Sequence, residues 1–228
     1  MKTKRVFIVS KSRSAPDATL RARIVVAGTE LFLSRGFVRV TADEIAGRLG
    51  ISKATLYKSF ASKEEILRAV VREFMNDIAG RVEGTLADVR LSFVEKLVAL
   101  FTYVGGRISQ FGPYLIRDIQ KSAPQIWKEI DDFRRNKILK NFKVILESGR
   151  KEGLFRGDID PDLLLQMFTY LIGEFINPQV VLRSGRSPAE AFESVIKVFF
   201  QGILTDRGRE HFLARTPALF EPRKEGAS

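Results

Sequence analysis

Ser52, Lys53, Thr55, Tyr57 and Lys58 stand together in the segment ISKATLYKSF, directly after Gly50 and with no acidic residue among them. Short hydroxyls beside Lys and Tyr near a helix start suit contacts to base edges and to phosphates. Other chemistries have little to draw on. The chain has no cysteine and one histidine, His211, which excludes disulfides, thiol nucleophiles and zinc fingers and leaves no material for a His-based metal site. No Gly-rich phosphate loop is present, and the pair Asp131-Asp132 sits among Arg134 and Arg135, reading as a solvated face. No catalytic residue, metal or cofactor is expected, and the chain is not expected to be an enzyme.

Two short helices must hold the basic segment. The stretch TADEIAGRLGISKATLYKSF, Thr41 to Phe60, predicts a first helix carrying Ile45, Ala46 and Leu49. Gly50 can take the positive φ of a tight turn. Ile51 then packs inward, and a second helix follows with Leu56 and Phe60 on its inner side. Small Ala46 lets the two helices cross closely, as a helix-turn-helix requires.

Elsewhere the start signals are nearly all helical. Thr41-Ala-Asp-Glu44, Ser62-Lys-Glu-Glu65, Ser92-Phe-Val-Glu95 and Ser187-Pro-Ala-Glu190 are capping boxes, in which a hydroxyl and a Glu satisfy each other's amides. Pro113, Pro124 and Pro161 mark three further starts. The expected helices run over 17–35, 41–49, 52–59, 62–85, 92–109, 113–121, 124–151, 160–182 and 187–205, with one more short helix after about 206. Strands and internal repeats are absent from the pattern, so the fold class is all-α.

The stretch from about Leu20 to Phe74 resembles the TetR family of bacterial transcriptional regulators. The residues that carry the likeness are Glu30-Leu31-Phe32, Arg35-Gly36-Phe37, Val40-Thr41, Glu44-Ile45-Ala46, Leu49-Gly50-Ile51-Ser52, Thr55-Leu56-Tyr57, Phe60 and Ser62-Lys63-Glu64-Glu65-Ile66-Leu67. Gly28 departs from the family's usual alanine. The resemblance implies a homodimer with an N-terminal three-helix DNA-binding domain, its third helix in the major groove, and a helical ligand-binding and dimerisation bundle behind it. Carried over by position, it implies that Thr41 and Lys63 anchor phosphates from two helix starts. Tyr57 and Lys58 would touch the backbone, and Ser52, Lys53, Ala54 and Thr55 would face the bases.

Charge agrees with that division. The chain of 228 residues has a formal net charge of +11. Residues 1–68 hold fourteen Lys and Arg against six Asp and Glu, leaving +3 for the rest. Residues 1–15 read as a flexible basic arm, either reaching a minor groove or serving as a disordered tail. Residues 16–61 read as the helix-turn-helix domain, 62–206 as the regulatory domain and 207–228 as a C-terminal tail. No apolar run is long enough for a membrane span, and a cytoplasmic location is expected.

Fourteen of the eighteen phenylalanines lie beyond residue 68. With the resemblance, the apolar stripes suggest an effector cavity between helices, with Phe101, Trp127, Phe168 and Tyr170 as its lining. Gln166, Tyr170, Glu174 and Asn177 recur along one side of 160–182; they face the pocket, a dimer interface or solvent. Glu174 in the pocket would favour a cationic or hydroxylated ligand. The helices 160–182 and 187–205 are expected to build the dimer interface. The function expected is a repressor released from a palindromic operator in double-stranded DNA by a small, largely apolar effector. An activator, an effector-independent DNA-binding protein and a non-specific basic architectural or membrane-surface protein are the alternatives.

Overall fold

The computed structural model describes residues 20–175 and 177–214. Among them are eleven α-helices: α1 Leu20–Arg35, α2 Ala42–Leu49, α3 Lys53–Ser59, α4 Lys63–Ala87, α5 Phe93–Ile108, α6 Pro113–Ser122, α7 Pro124–Lys151, α8 Pro161–Phe175, α9 Pro178–Ser184, α10 Pro188–Ile203 and α11 Asp206–Leu213. The basic arm expected at residues 1–15 lies outside the described residues.

Most starts follow the sequence signals. Full capping boxes close at Thr41–Glu44, Ser92–Glu95 and Ser187–Glu190. At α4 the box is displaced: Ser62 accepts from the Glu65 amide, but the Glu65 carboxylate takes the Ala61 N–H at 2.8 Å. Asp160 caps α8 through the Leu163 amide at 2.9 Å.

One expected helix is two. The helix read over 160–182 stops at Phe175 and restarts at Pro178. Proline cannot supply the amide a continuous helix needs there, and it disfavours helical backbone in the residue before it. Toward the end of the chain, the short helix expected after about 206 is α11. Residues 207–213 belong to α11, whose Phe212 is buried in the core.

Two apolar cores hold these helices. The first joins Ile24, Phe32, Ile45, Leu56 and Phe60 to Ile66, Leu67 and Val70 of α4, and also to Leu115 and Ile119 of α6. The DNA-proximal core thus takes in the start of α4 and part of α6, beyond the boundary expected at residue 61. The second core holds α5, α7, α8 and α10 around Phe142, whose ring stacks on Phe168 at 4.1 Å. A lone bridge pairs Phe155 with Leu204, tying the turn after α7 to the end of α10.

Candidate functional site

The helix-turn-helix is built by local chemistry. Gly50 sits at φ 65°, and the amides of Gly50 and Ile51 reach back to the carbonyls of Gly47 and Ala46 at 3.1 Å each. This double bond closes α2 in a Schellman motif that needs a left-handed residue. Ser52 then caps α3, accepting from the Thr55 amide at 3.0 Å, with its hydroxyl 2.8 Å from that of Thr55. Leu56 and Phe60 are buried beneath, while Ser52, Lys53, Ala54, Tyr57 and Lys58 are exposed and Thr55 is half-buried.

The acid-free face has an acidic neighbour after all. Asp43 on α2 accepts from Lys53 at 2.8 Å, and that hydrogen bond raises the Lys53 pKa. Lys58 and Arg39, both exposed, have no ion pair among the described residues. Thr41 is exposed, and its amide and hydroxyl both bind the Glu44 carboxylate. The Thr41 amide is the main cause of the lowered Glu44 pKa.

Lys63 does not sit as expected of a free phosphate anchor. Its ammonium donates to the carbonyls of Phe37 at 2.9 Å and Val40 at 2.7 Å, and lies 4.3 Å from the centre of the Phe37 ring. Burial lowers its pKa, against the opposing pull of Asp118 and Glu44. Two of its three N–H donors are therefore spent on joining α4 to the corner between α1 and α2.

The same corner receives Asp118 from α6. At 9% exposure it is the one buried charged side chain among the described residues, and it accepts the Val38 N–H at 3.1 Å. Gly36 makes room for it. A Cβ at Gly36 would lie 2.7 Å from the carboxylate, and the residue sits at φ 83°.

Behind this corner lies an apolar cavity of about 250 Å³. Its walls include Phe74 and Ile78 of α4, Phe101 and Val104 of α5, Ile116 and Ile119 of α6, and Trp127 and Ile138 of α7. Phe101, Trp127 and Phe168 line it. Tyr170 and Glu174 do not. Tyr170 is 70% exposed and Glu174 is also exposed, because α8 turns Leu164, Leu165, Phe168 and Ile172 to the core. One helix cannot present residues 166, 170 and 174 to that same side. The polar lining comes instead from Arg134, Lys137 and Asn141 of α7.

Residues 24–70 match the family model described as bacterial regulatory proteins, tetR family. The helix-turn-helix segment is thus similar to that of the tetR family. Two relatives match over most of their length. An uncharacterized HTH-type transcriptional regulator of Bacillus subtilis, YvaF, is 24% identical, over 81% of this chain and 95% of its own. The HTH-type transcriptional repressor KstR2 of Mycolicibacterium smegmatis is 27% identical, over 86% of this chain and 99% of its own. The crystal structure of a TetR-family regulator from Marinobacter aquaeolei shares the fold, with a TM-score of 0.68 at 20% identity, covering 89% of this chain and all of that one. These relatives are regulators, not enzymes.

α8 and α10 also carry an apolar outer surface. Leu163, Met167, Tyr170 and Val198 are all exposed. Sequence reasoning missed Asp118, Arg134 and Asn141 as site residues. For the last two a signal existed: Trp127, Ile130, Arg134, Ile138, Asn141 and Ile145 continue one helical stripe. No helix among the described residues is long and apolar enough to cross a membrane.

Proposed function

We propose that this protein is a TetR-family regulator, a dimeric repressor of a palindromic operator, released when a small, largely apolar effector fills the cavity between α4, α5, α6 and α7. The observation that carries the reading is the double role of α6. Ile116 and Ile119 are cavity wall, while Asp118 between them holds the Val38 amide in the turn leading to α2. An effector that rearranges the wall moves the anchor of the helix-turn-helix with it. A shift of this kind requires tighter binding to the DNA-incompetent state. The name of the KstR2 relative, a transcriptional repressor, supports the sign.

On the DNA, Ser52, Lys53, Ala54 and Thr55 face base edges, and Thr41, Tyr57 and Lys58 contact the backbone. Arg39, exposed and without an ion pair among the described residues, joins them as a phosphate contact. Lys63 has one N–H left for such a contact, so its main part is to fix the corner. Lys53 must exchange Asp43 for a base or phosphate on docking. The dimer forms through the outer faces of α8 and α10 and sets the two copies of α3 about 34 Å apart, one turn of DNA.

Selection from a pool of random duplexes, followed by footprinting, tests this. The expected result is one inverted repeat protected on a single face of the duplex, bound at least about 10³-fold more tightly than random sequence at fixed salt. Equal affinity for all sequences would instead make the protein a non-specific basic binder.

A further inference from the structure

The cavity that the proposed function reads as the effector site has a chemistry of its own. Its wall is almost wholly apolar, and the charged residues that line it, Arg134 and Lys137, are both basic. The Asn141 amide lies on the same wall and makes no hydrogen bond among the described residues. Lys137 is held by Glu83 of α4 at 2.7 Å. Arg134 is held at one end only: Asp131 binds its Nη2, and the guanidinium lies 5.3 Å from the centre of the Trp127 ring. Its Nε is buried and has no hydrogen-bond partner among the described residues. Neither Asp131 nor Glu83 lines the cavity.

A buried donor without an acceptor is costly, and a cation's donor most of all. Nothing on the apolar walls can satisfy it. A ligand that fills the cavity with hydrocarbon and brings an anionic oxygen to Arg134 removes that cost and adds a charge-assisted bond. The opposite ligand, a cation, would place like charge beside Arg134 and Lys137. We infer that the cavity binds a carboxylate-bearing amphiphile, its chain among Phe101, Val104 and Ile138 and its carboxylate on the Arg134 Nε–H with the Asn141 amide beside it. This inference rests on the cavity's being the effector site, and it replaces the cationic or hydroxylated ligand that Glu174 in the pocket would favour.

Trp127 is the protein's sole tryptophan and lies against both the cavity and Arg134, so its fluorescence reports occupancy. The test titrates the full-length dimer with decanoate, decanol and decylammonium below their aggregation limits, repeated with Arg134→Gln and with Asn141→Leu. Thermal melting checks that both variants fold. Decanoate is expected to bind about tenfold or more tighter than decanol, the worth of one charged hydrogen bond, with decylammonium weakest. Arg134→Gln should abolish that preference while leaving decanol affinity nearly unchanged, and Asn141→Leu should reduce it.

No binding of decanoate at millimolar concentration overturns the inference. So does decanol or decylammonium binding as tightly, or a decanoate preference that survives Arg134→Gln; since the head-group series is read on the unmodified protein, it decides even if a variant misfolds. A gel shift on the selected operator separates this from the function itself. Release by a neutral amphiphile that perturbs Trp127 equally would keep the effector-released repressor and sink the carboxylate. Selective decanoate binding with no effect on the operator would keep the ligand class and sink the repressor mechanism.

Discussion

Lys63, Asp118 and Gly36 meet at one corner, and each is there for a different physical reason. The Lys63 ammonium satisfies two carbonyls, the Asp118 carboxylate satisfies an amide, and Gly36 leaves the space. Two predictions separate this corner from the DNA face. Lys63→Met strands the carbonyls of Phe37 and Val40, costing about 1–3 kcal/mol, which for a chain of this size lowers Tm by about 2–4 °C per kcal/mol. Lys58→Ala, in contrast, leaves the melting curve in place and lowers the salt slope of DNA binding by about 1. Calorimetry and salt-dependent binding on both variants check the division. A Lys63→Met protein with unchanged Tm and a reduced slope would return Lys63 to the role of phosphate anchor. Gly28 makes a similar point about packing. Alanine there would gain up to about 1 kcal/mol of helix propensity, yet its Cβ would come within 2.9 Å of the buried Ile66 side chain. Overpacking of that kind costs about 1–3 kcal/mol, so Gly28→Ala is expected to lower Tm, not raise it.

Among the elements, those governed by neighbours in sequence were legible and those governed by distant partners were not. Thr41, Gly50 and Ser52 act within a few residues of themselves, so the bounds of α2 and α3 follow from capping and turn chemistry alone. The split of α8 from α9 was also written locally, in Pro178, but a strongly apolar stripe on both sides of it outweighed the proline. Which way α8 faces is a different matter. Its sequence carries apolar residues on two sides, Leu164, Leu165, Phe168 and Ile172 on one and Leu163 and Met167 on the other, and only packing against α7 and α10 assigns the first set to the core. The second set stays about half exposed among the described residues. If it is the dimer surface, Met167→Glu combined with Val198→Glu places like charges across the interface and desolvates them. Sedimentation should then report a monomer while circular dichroism shows unchanged helicity. A stable dimer in the double variant would move the interface to another face.

At the scale of the whole molecule, the DNA-proximal core and the cavity share two helices. The DNA-proximal core includes the start of α4 and part of α6, while the middle of α4 and Ile116 and Ile119 of α6 border the cavity. That sharing was not readable from the stripes, because the stripe of Trp127, Ile130, Arg134 and Ile138 looks the same whether it meets another helix or a void. It has a thermodynamic consequence. If filling the cavity weakens operator binding by some factor, operator binding must weaken the cavity ligand by the same factor, since coupling free energy is reciprocal. Coupling in regulators of this kind is typically about 1–3 kcal/mol, or roughly 5–150-fold. The measurement is a pair of titrations at one salt concentration: operator affinity with the cavity empty and saturated, and effector affinity, read from Trp127, with operator absent and saturating. Both ratios, taken per dimer, should agree within error. Asp118→Asn keeps the shape of the anchor but weakens its hold on the Val38 amide by removing the charge, so both ratios should shrink together toward one. An Asp118→Asn protein that melts normally and keeps the full coupling would show that the signal passes through α4 alone.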